Sequence, residues 1–424
     1  MRHAQTARPA CGFDFGTSNS TIAVADGNRP RLVALEGDEV TLPSAMFYGF
    51  DPGDEFLIGR AAVAAYVDGV PGRLMRSLKS ILGTALIDER TQVARRRVAF
   101  RDIIKAYVAA VKRRAEAEIG AELGAIVHGR PVHFVDDDEA GDRQAEDTLR
   151  QIAIEAGYRE VSFQYEPIAA AYDFEQQVDR EQVALIADIG GGTSDFTVVR
   201  LGPDRARRPD RTGDILSTGG IRLGGTDYDR YLSMAAFMPL LGYGSRQQRG
   251  DIDVPSAPYW ELSTWSKVHL LHEAGRMQEF VSTRRTAAEP ALIERLIHVV
   301  AERQGHTMLM AVEAAKIGLS DAASHVSDLS FVEAGLSATA TRDGFEKATA
   351  HLFERLRMAT ADCIRHAGLT HADVSTVFFT GGTSSAPSVR RAVLADFGSV
   401  TVVDGDRFGS VGTGLAIEAA RRYG

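Results

Sequence analysis

The first part of the chain changes from one hydrophobic period to another. Apolar and polar residues alternate at 12–25, 31–35 and 41–48, which predicts a meander of strands. Between 51 and 124 the pattern becomes helical. A stripe of apolar residues there predicts a helix that ends near Gly120: Ile103, Ile104, Tyr107, Val108 and Val111. Strands and helices mixed in this way are typical of an α/β fold.

The pattern then predicts a second, similar series. Strands are expected at 131–135, 161–165 and 183–189, and an acidic helix entry at 136–139. The helix after that entry has the apolar stripe Ala145, Leu149, Ile152, Ala153 and Ala156, and another helix is expected at 167–177. Because the strand pattern restarts near 181, we place lobe I at 1–180 and lobe II at 181–424. Their inserted subdomains are expected at about 43–127 and about 229–322. A strand near 377 leads into another glycine-rich turn, and a closing helix follows 408.

Two stretches repeat one pattern: FDFGTSNSTIAVA at 13–25 and ADIGGGTSDFTVVR at 187–200. In each, an aspartate (Asp14, Asp188) ends an apolar strand and is followed by a turn rich in Gly, Thr and Ser. Such turns expose backbone N–H groups that bind phosphate. An aspartate there can hold Mg²⁺ through water, and Asp195 would add to the same acidic site. The alternative is that Asp14 and Asp188 only cap turns.

Glu166 precedes Pro167 at the junction of a predicted strand and helix. A carboxylate at this point can orient a water for attack on a γ-phosphate. Taken alone, it is more often a charge at a helix N-terminus.

Composition narrows the function. A chain of 424 residues is too long for one hydrophobic core, and 44% hydrophobic with 25% charged residues is typical of a soluble globular protein. The net charge of −9 argues against a nucleic-acid partner. Cys11 and Cys363 are expected to be free and partly buried. Because no leader or membrane-spanning run is visible, we expect a cytoplasmic protein without a membrane partner.

Other clusters carry less information. His269 and His272 are predicted to be a surface pair and not a metal site. The basic residues at 95–97 and at Arg205, Arg207, Arg208 and Arg211 are predicted to lie in solvated loops, although either group could be a partner patch. Trp260 and Trp265 are expected in the core.

The motifs together resemble the nucleotide-binding domain of the Hsp70 family over essentially the whole chain. Asp14-Phe-Gly-Thr-Ser-Asn-Ser and Asp188-Ile-Gly-Gly-Gly-Thr-Ser-Asp195 are similar to its two phosphate motifs. Glu166-Pro-Ile-Ala-Ala-Ala resembles its connecting motif, and 223–229 resembles the entry to its second inserted subdomain. The chain looks most like the YegD-like, truncated Hsp70 homologues.

This resemblance implies an α/β, actin-like ATPase fold, in which each lobe has an RNase H-like mixed sheet with an inserted subdomain. A nucleotide cleft would lie between the lobes, and no substrate-binding domain is expected. The implied cofactors are ATP or ADP with Mg²⁺, and K⁺ is left open as a further ion.

The resemblance also implies roles for single residues. Lys79, Glu166, Thr193 and Asp188 would be catalytic, while Asp14, Asp188 and Asp195 would organise the metal. The residues expected to contact the nucleotide are Asp14, Gly16, Thr17, Ser18, Asn19, Gly190, Gly191, Gly192, Thr193, Gly224, Gly225, Glu313, Lys316, Ser320, Gly381, Gly382, Thr383 and Ser385. Pro131 and Arg143 match the family's interdomain relay.

Two departures concern the base. The family's third glycine-rich motif ends in an arginine that stacks on adenine, and Ser385 stands in its place. The closing motif is replaced by 408–412, where Phe408 could offer an apolar face to the base or could instead pack within its loop. Both departures concern adenine affinity and base selectivity, and not the predicted phosphate contacts. Glu313 and Lys316 could instead form a solvated ion pair.

The implied function is a slowly ATP-hydrolysing, Hsp70-like molecular chaperone that acts as a nucleotide-dependent switch. Its partners would be adenine nucleotide and an unfolded client or co-chaperone. The alternatives are a filament-forming actin-like ATPase, a small-molecule kinase of the same superfold, and a nucleotide-binding adaptor that does not hydrolyse.

Overall fold

The computed structural model describes residues 9–26, 29–50, 56–93, 96–135, 138–175, 178–208, 210–249, 251–404 and 409–424. Predicted features at Arg95, Asp136, Asp137, Gln177 and Phe408 lie outside these ranges.

The strands, in chain order, are β1 (Ala10–Phe15), β2 (Asn19–Asp26), β3 (Arg29–Leu32), β4 (Leu42–Pro43), β5 (Ala45–Gly49), β6 (Leu57–Ile58), β7 (Gly72–Arg76), β8 (Arg90–Val93), β9 (Arg96–Ala99), β10 (Ala125–Arg130), β11 (Glu160–Tyr165), β12 (Gln182–Ile189), β13 (Ser194–Leu201), β14 (Ile215–Ile221), β15 (Ser324–Asp328), β16 (Ser337–Thr341), β17 (Thr376–Thr380) and β18 (Thr401–Asp404). The α-helices are α1 (Arg60–Val67), α2 (Phe100–Ile119), α3 (Glu139–Glu155), α4 (Glu166–Glu175), α5 (Pro203–Ala206), α6 (Gly225–Leu232), α7 (Ala257–Leu262), α8 (Arg276–Thr286), α9 (Pro290–Ala301), α10 (Gly305–Asp321), α11 (Arg342–His366), α12 (Pro387–Leu394) and α13 (Ser410–Tyr423).

Two larger sheets share one arrangement. The first has the order β11-β10-β1-β2-β3, with β4 pairing with β2, and the second has the order β14-β13-β12-β17-β18. In both, an antiparallel hairpin (β1-β2 or β12-β13) has a parallel strand (β10 or β17) beside its first strand. The repeated sequence pattern therefore corresponds to a repeated local topology.

Smaller elements interrupt this plan. Strand β5 pairs with β6 and β7, and β8 pairs with β9, within the part of the chain that precedes α2. Strands β15 and β16 form a separate hairpin after α10. No helix in the described ranges is both long enough and apolar enough to cross a membrane.

Helices α4 and α13 lie between the two larger sheets. Ile168, Ala171 and Tyr172 of α4 are buried in one apolar cluster with residues of the second sheet. Ala169 and Ala170 on its other side pack against α13. Helix α13 in turn lies on the first sheet, where a Cβ added to Gly12 would be 2.4 Å from the Ala416 backbone nitrogen. Small residues thus allow α13 to pack closely on the first sheet and α4 to pack closely between α13 and the second sheet.

Two sequence predictions were wrong in position or type. The strand expected at 131–135 is β10, Ala125–Arg130, and ends before Pro131. A proline has no N–H to donate and does not fit inside a central strand. The helical pattern expected from 51 onward applies only from Phe100, because the described part before it is mostly short strands and turns with the single α-helix α1.

Other local predictions were confirmed. Helix α2 ends at Ile119 with Gly120 in the left-handed conformation, at φ 69°. In α3 the Asp138 side chain accepts hydrogen bonds from the Ala140 and Gly141 N–H groups, as the acidic helix entry predicted. Both cysteines are free, and both are buried.

The α4–α13 crossing can be tested by adding one methyl group. A Cβ on Gly414 would lie 1.9 Å from the Ala169 carbonyl oxygen. We expect Gly414→Ala to lower the free energy of unfolding by about 1–3 kcal/mol, because the added methyl group clashes with the Ala169 carbonyl. This loss occurs even though alanine has a helix propensity about 1 kcal/mol more favourable than that of glycine. Urea unfolding measures the change. Gly398→Ala is the control, since a Cβ there meets nothing within 4 Å. Equal stability of the two variants would contradict the close crossing.

Candidate functional site

The two repeated turns occupy equivalent places and face each other. Asp14 lies opposite Thr21 in the first hairpin, and Asp188 lies opposite Asp195 in the second. Each of the two aspartates is the next-to-last residue of its strand. A Cβ added to Gly191 in the second turn would be 2.8 Å from Ser18 Oγ in the first. The predicted phosphate turns therefore meet across one narrow space.

Lys79 and Glu166 form an ion pair beside these turns. Lys79 Nζ donates to Glu166 Oε1 at 2.5 Å, and the two side chains are only 9% and 15% exposed. Lys79 belongs to a short 3-10 helix, Leu78–Ile81, while Glu166 is the first residue of α4. The pair joins residues 87 positions apart in the chain. The structure thus brings together two predicted catalytic residues.

The nearby carboxyl groups are held towards their neutral forms. Burial, with the charge of Glu166 next, raises the pKa of Asp14 to about 8. Burial, then Asp195 and Glu166, raises the pKa of Asp188 to about 7. Burial lowers the pKa of Lys79, but the surrounding carboxylates, Glu166 first, outweigh it, so that the net shift is upward. A cation bound at this site would favour the charged forms of the two aspartates and lower their pKa values.

Glycine-rich segments of the second half converge on the second turn. The Gly190 carbonyl accepts from the Gly225 N–H at 3.0 Å and from Thr383 Oγ1 at 2.9 Å. The Thr226 N–H donates to the Gly191 carbonyl at 2.7 Å. Gly381 has φ 80°, and a Cβ there would lie 2.6 Å from Asp188 Oδ1, so the backbone approaches as closely as only glycine allows. The three segments predicted separately form one continuous wall.

Lys316 extends this wall. Its Nζ donates to the Gly225 carbonyl at 3.3 Å and lies 2.8 Å from Asp229 Oδ1. The alternative of a solvated pair with Glu313 is wrong, because Lys316 is half-buried against Asp229 while Glu313 is exposed. Ser320, also on α10, is half-buried. Asp229 escaped the sequence reasoning, although it ends the quoted 223–229 motif.

The first turn is fixed by a serine that the motifs did not indicate. Ser44 Oγ donates to the Gly16 carbonyl at 2.6 Å and shares a hydrogen bond with Ser20. Thr17 is exposed, while Ser18 and Asn19 are half-buried. In the second turn Thr193 Oγ1 donates to Asp195 Oδ2 at 2.9 Å, and Gly192, Thr193 and Asp195 are exposed. Exposed groups of both turns are therefore available to a ligand.

The turn predicted to contact the base has its side-chain hydroxyl engaged within the turn. Ser385 Oγ donates to the Gly382 carbonyl at 2.6 Å, so its hydroxyl is used within the turn. Arg390 lies close by: its Nε donates to the Ser384 carbonyl at 2.9 Å, and its guanidinium stacks on the Phe379 ring at 4.8 Å. This arginine was not anticipated from the sequence.

The expected relay residues lie directly after β10, at Pro131, and on α3, at Arg143. The Pro131 carbonyl accepts from Arg130 Nε at 3.1 Å. Arg143 on α3 is largely exposed, at 72%, and pairs with Glu139. The roles assigned to Pro131 and Arg143 stay predictions.

The predictions for the histidine pair and for the basic clusters have different outcomes. His269 and His272 are exposed, and within the described ranges no group of three or more His, Cys, Asp or Glu residues is placed to hold a metal ion. The prediction of solvated loops is wrong for Arg205 and Arg211, whose side chains are 12% and 1% exposed, and is confirmed for Arg207 at 82%.

The raised pKa values predict how stability changes with pH. Between about pH 4 and pH 8 the folded chain binds more protons at Asp14 than the unfolded chain does, so the free energy of unfolding falls as pH rises. Asp14→Asn removes this loss. We expect the unliganded variant to be more stable than wild type at pH 8.5, with a smaller difference at pH 5.

Urea unfolding at the two pH values measures this effect. Asp147→Asn, an exposed change on α3, is the control and should behave alike at both. A variant Asp14→Asn that is less stable than wild type at pH 8.5 would contradict the electrostatic account.

Comparison with known proteins agrees with this geometry. The family model described as "Hsp70 protein" matches residues 10–238 and 297–423. The chain is 26% identical over 412 residues to a protein named "Chaperone protein DnaK" from Deinococcus proteolyticus, with 91% of this chain and 54% of that protein covered. The chain therefore spans about half the length of the curated relative it matches. Since the family model covers most of the chain, the protein belongs to the Hsp70 family and has its actin-like ATPase fold.

Proposed function

We propose that this chain binds Mg-ATP between its two larger sheets and hydrolyses it slowly to ADP and phosphate. The observation that carries the proposal is the meeting of the two equivalent turns beside the buried Lys79–Glu166 pair. Backbone N–H groups and hydroxyls of both turns would hold the phosphate chain. The Hsp70 family membership supports a nucleotide as the ligand.

Each half of the site has a distinct task in this reaction. The Lys79 ammonium, kept protonated by its carboxylate neighbours, would neutralise charge that develops on the transferred phosphoryl group. Glu166 would orient the attacking water, and Thr193, exposed in its turn, would share that task. Positioning and electrostatics are the main contributions a protein makes to phosphoryl transfer.

Within the described residues the carboxylates are not grouped for direct metal coordination, so a magnesium ion would be held through its waters. Oxygen donors suit this cation, which keeps several waters when it bridges phosphates. The pKa values of Asp14 and Asp188 are raised by burial first and by neighbouring carboxylates next, so a bound cation would favour the charged form of both groups. These two residues with Asp195 would hold the ion through its waters, and the ion would neutralise phosphate charge. Binding would then release protons from Asp14 and Asp188.

We further propose that the nucleotide state sets the angle between the two sheets and thereby the affinity for a client or co-chaperone. Helices α4 and α13, packed between the sheets, are the elements such a rotation would use. The DnaK relative supports the chaperone class, and the chaperone activity of this chain is part of the proposal.

Single-turnover hydrolysis of radiolabelled ATP tests the assignment. We expect Glu166→Ala to lower the rate by about 10²–10⁴-fold, and Lys79→Ala by about 10²–10³-fold, because each removes a group that acts on the reacting phosphate. Thr193→Ala should also be slower than wild type. Glu139→Ala, at a side chain 92% exposed on α3, is the control.

Other outcomes would identify another function. Wild-type rates in the Glu166→Ala and Thr193→Ala variants would contradict the site. Label transferred to a small metabolite would indicate a kinase, and ATP-dependent sedimentation would indicate a filament-forming protein. Binding of Mg-ATP without hydrolysis would indicate a nucleotide-binding adaptor.

A further inference from the structure

Helix α4 carries a functional carboxylate at each end. Glu166, its first residue, pairs with Lys79 in the site. Glu175, its last residue, is 1% exposed at the opposite end. Nine residue steps separate them, or roughly 13 Å along the axis of an α-helix. A shift of α4 along its axis therefore moves both carboxylates together.

Glu175 is held from several directions. Arg211 Nη1 donates to Glu175 Oε2 at 2.9 Å, and Nη2 donates to Oε1 at 2.8 Å. The Gly202 N–H also donates to Oε1, at 2.9 Å. A two-point arginine–carboxylate contact fixes orientation as well as distance. The end of α4 is thus fixed to the connection between β13 and β14.

That connection is itself braced. Arg211 Nε donates to Asp214, whose other oxygen accepts from Arg205 Nη1. The Asp214 side chain is 2% exposed, so every charge of Glu175, Arg211 and Asp214 is paired away from water. Such buried pairs rarely increase stability over apolar residues of similar size, so their geometry is the property to explain.

Apart from the Lys79–Glu166 pair and the Tyr172–Glu418 hydrogen bond, the remaining side-chain contacts of α4 are largely apolar and less directional. Its faces present Ile168, Ala169, Ala170 and Ala171 to apolar neighbours. Apolar packing holds a helix against its surroundings, but it depends on buried area and not on direction. The ionic contacts at Glu175 therefore fix the far end of α4, while the Tyr172–Glu418 hydrogen bond and the Lys79–Glu166 pair act at other points along it.

We propose that Arg211 and Glu175 are positioning residues that set the distance between Glu166 and Lys79. They link the second sheet, through α4, to a lysine that follows β7 in the first half of the chain. This proposal rests on the proposed ATPase function for its kinetic consequence. Its structural consequence, the state of Lys79, is independent of any nucleotide.

Conservative variants test it. Glu175→Asp shortens the carboxylate by one methylene, and Arg211→Lys keeps the charge but loses the two-point contact. The matched control is Glu116→Asp, because Glu116 also pairs with a buried cation, Lys112, and also accepts a backbone N–H, from Leu123 at 2.8 Å. Thermal unfolding of all variants reports stability separately.

The first readout is acetylation of Lys79 by acetic anhydride in nucleotide-free protein, followed by mass spectrometry over a range of pH. If α4 shifts, Lys79 loses its carboxylate partner and its pKa falls. We expect labelling of Glu175→Asp and Arg211→Lys to be about tenfold faster than wild type, the change that one unit of pKa produces. Glu116→Asp should label like wild type.

The second readout is ATP hydrolysis. Because the misplaced group acts on the transition state, kcat should fall by about 10–100-fold, while KM should change by about twofold or less. If the single variants do not fold, the double variant Glu175→Met/Arg211→Met replaces the ion pair by apolar residues. Lys79 labelling and ATP hydrolysis are then measured on this double variant.

The outcomes are distinct. Unchanged Lys79 labelling in a folded variant would overturn the positioning role. Changed labelling in a chain that does not hydrolyse ATP even as wild type would support the positioning role and overturn the proposed function.

Discussion

The buried contact between Lys79 and Glu166 is the interaction around which the site is built. It joins a short helix before β8 to the first residue of α4, and it lies beside both repeated turns. Its two side chains are mostly removed from water, so the cost of burying charge is offset only if the partners stay in place. The packing of α4 between the sheets, and the ionic contacts at its far end, meet that requirement.

Electrostatic interactions in the same site destabilise the unliganded protein. Asp14 and Asp188 occupy equivalent positions of two hairpins, and burial holds both towards the neutral form. Replacing either aspartate with asparagine would increase the stability of the unliganded protein. It would also remove a carboxylate that can bind a cation or its waters. Sites that bind ions commonly lose stability in this way, because charges arranged for a ligand repel one another without it.

Local features of this fold were predictable from the sequence, and the family resemblance placed Lys79 and Glu166 in one site, but the other long-range side-chain pairings were not predictable. Asp14 and Asp188 were identified because a strand, a glycine-rich turn and a second strand are contiguous in the chain. Lys316 pairs with Asp229, which lies 87 residues earlier in the chain. No local sequence pattern shows that Lys316 pairs with this distant aspartate and not with Glu313, which lies on the same helix as Lys316. Arg211 reads as a loop arginine because only the folded chain brings Glu175 and Asp214 to it. The run 131–135 resembles a strand more than 125–130 does, and Pro131 together with the parallel pairing to β1 decides the outcome.

The most direct test of the account is a crystal structure of the chain grown with Mg²⁺ and a non-hydrolysable ATP analogue. The account predicts a triphosphate between the turns at 16–18 and 190–193, with Lys79 Nζ against the terminal phosphate and the metal waters against Asp14 and Asp188. A nucleotide bound elsewhere, or a cleft in which Lys79 and Glu166 have no contact with phosphate or its waters, would contradict it.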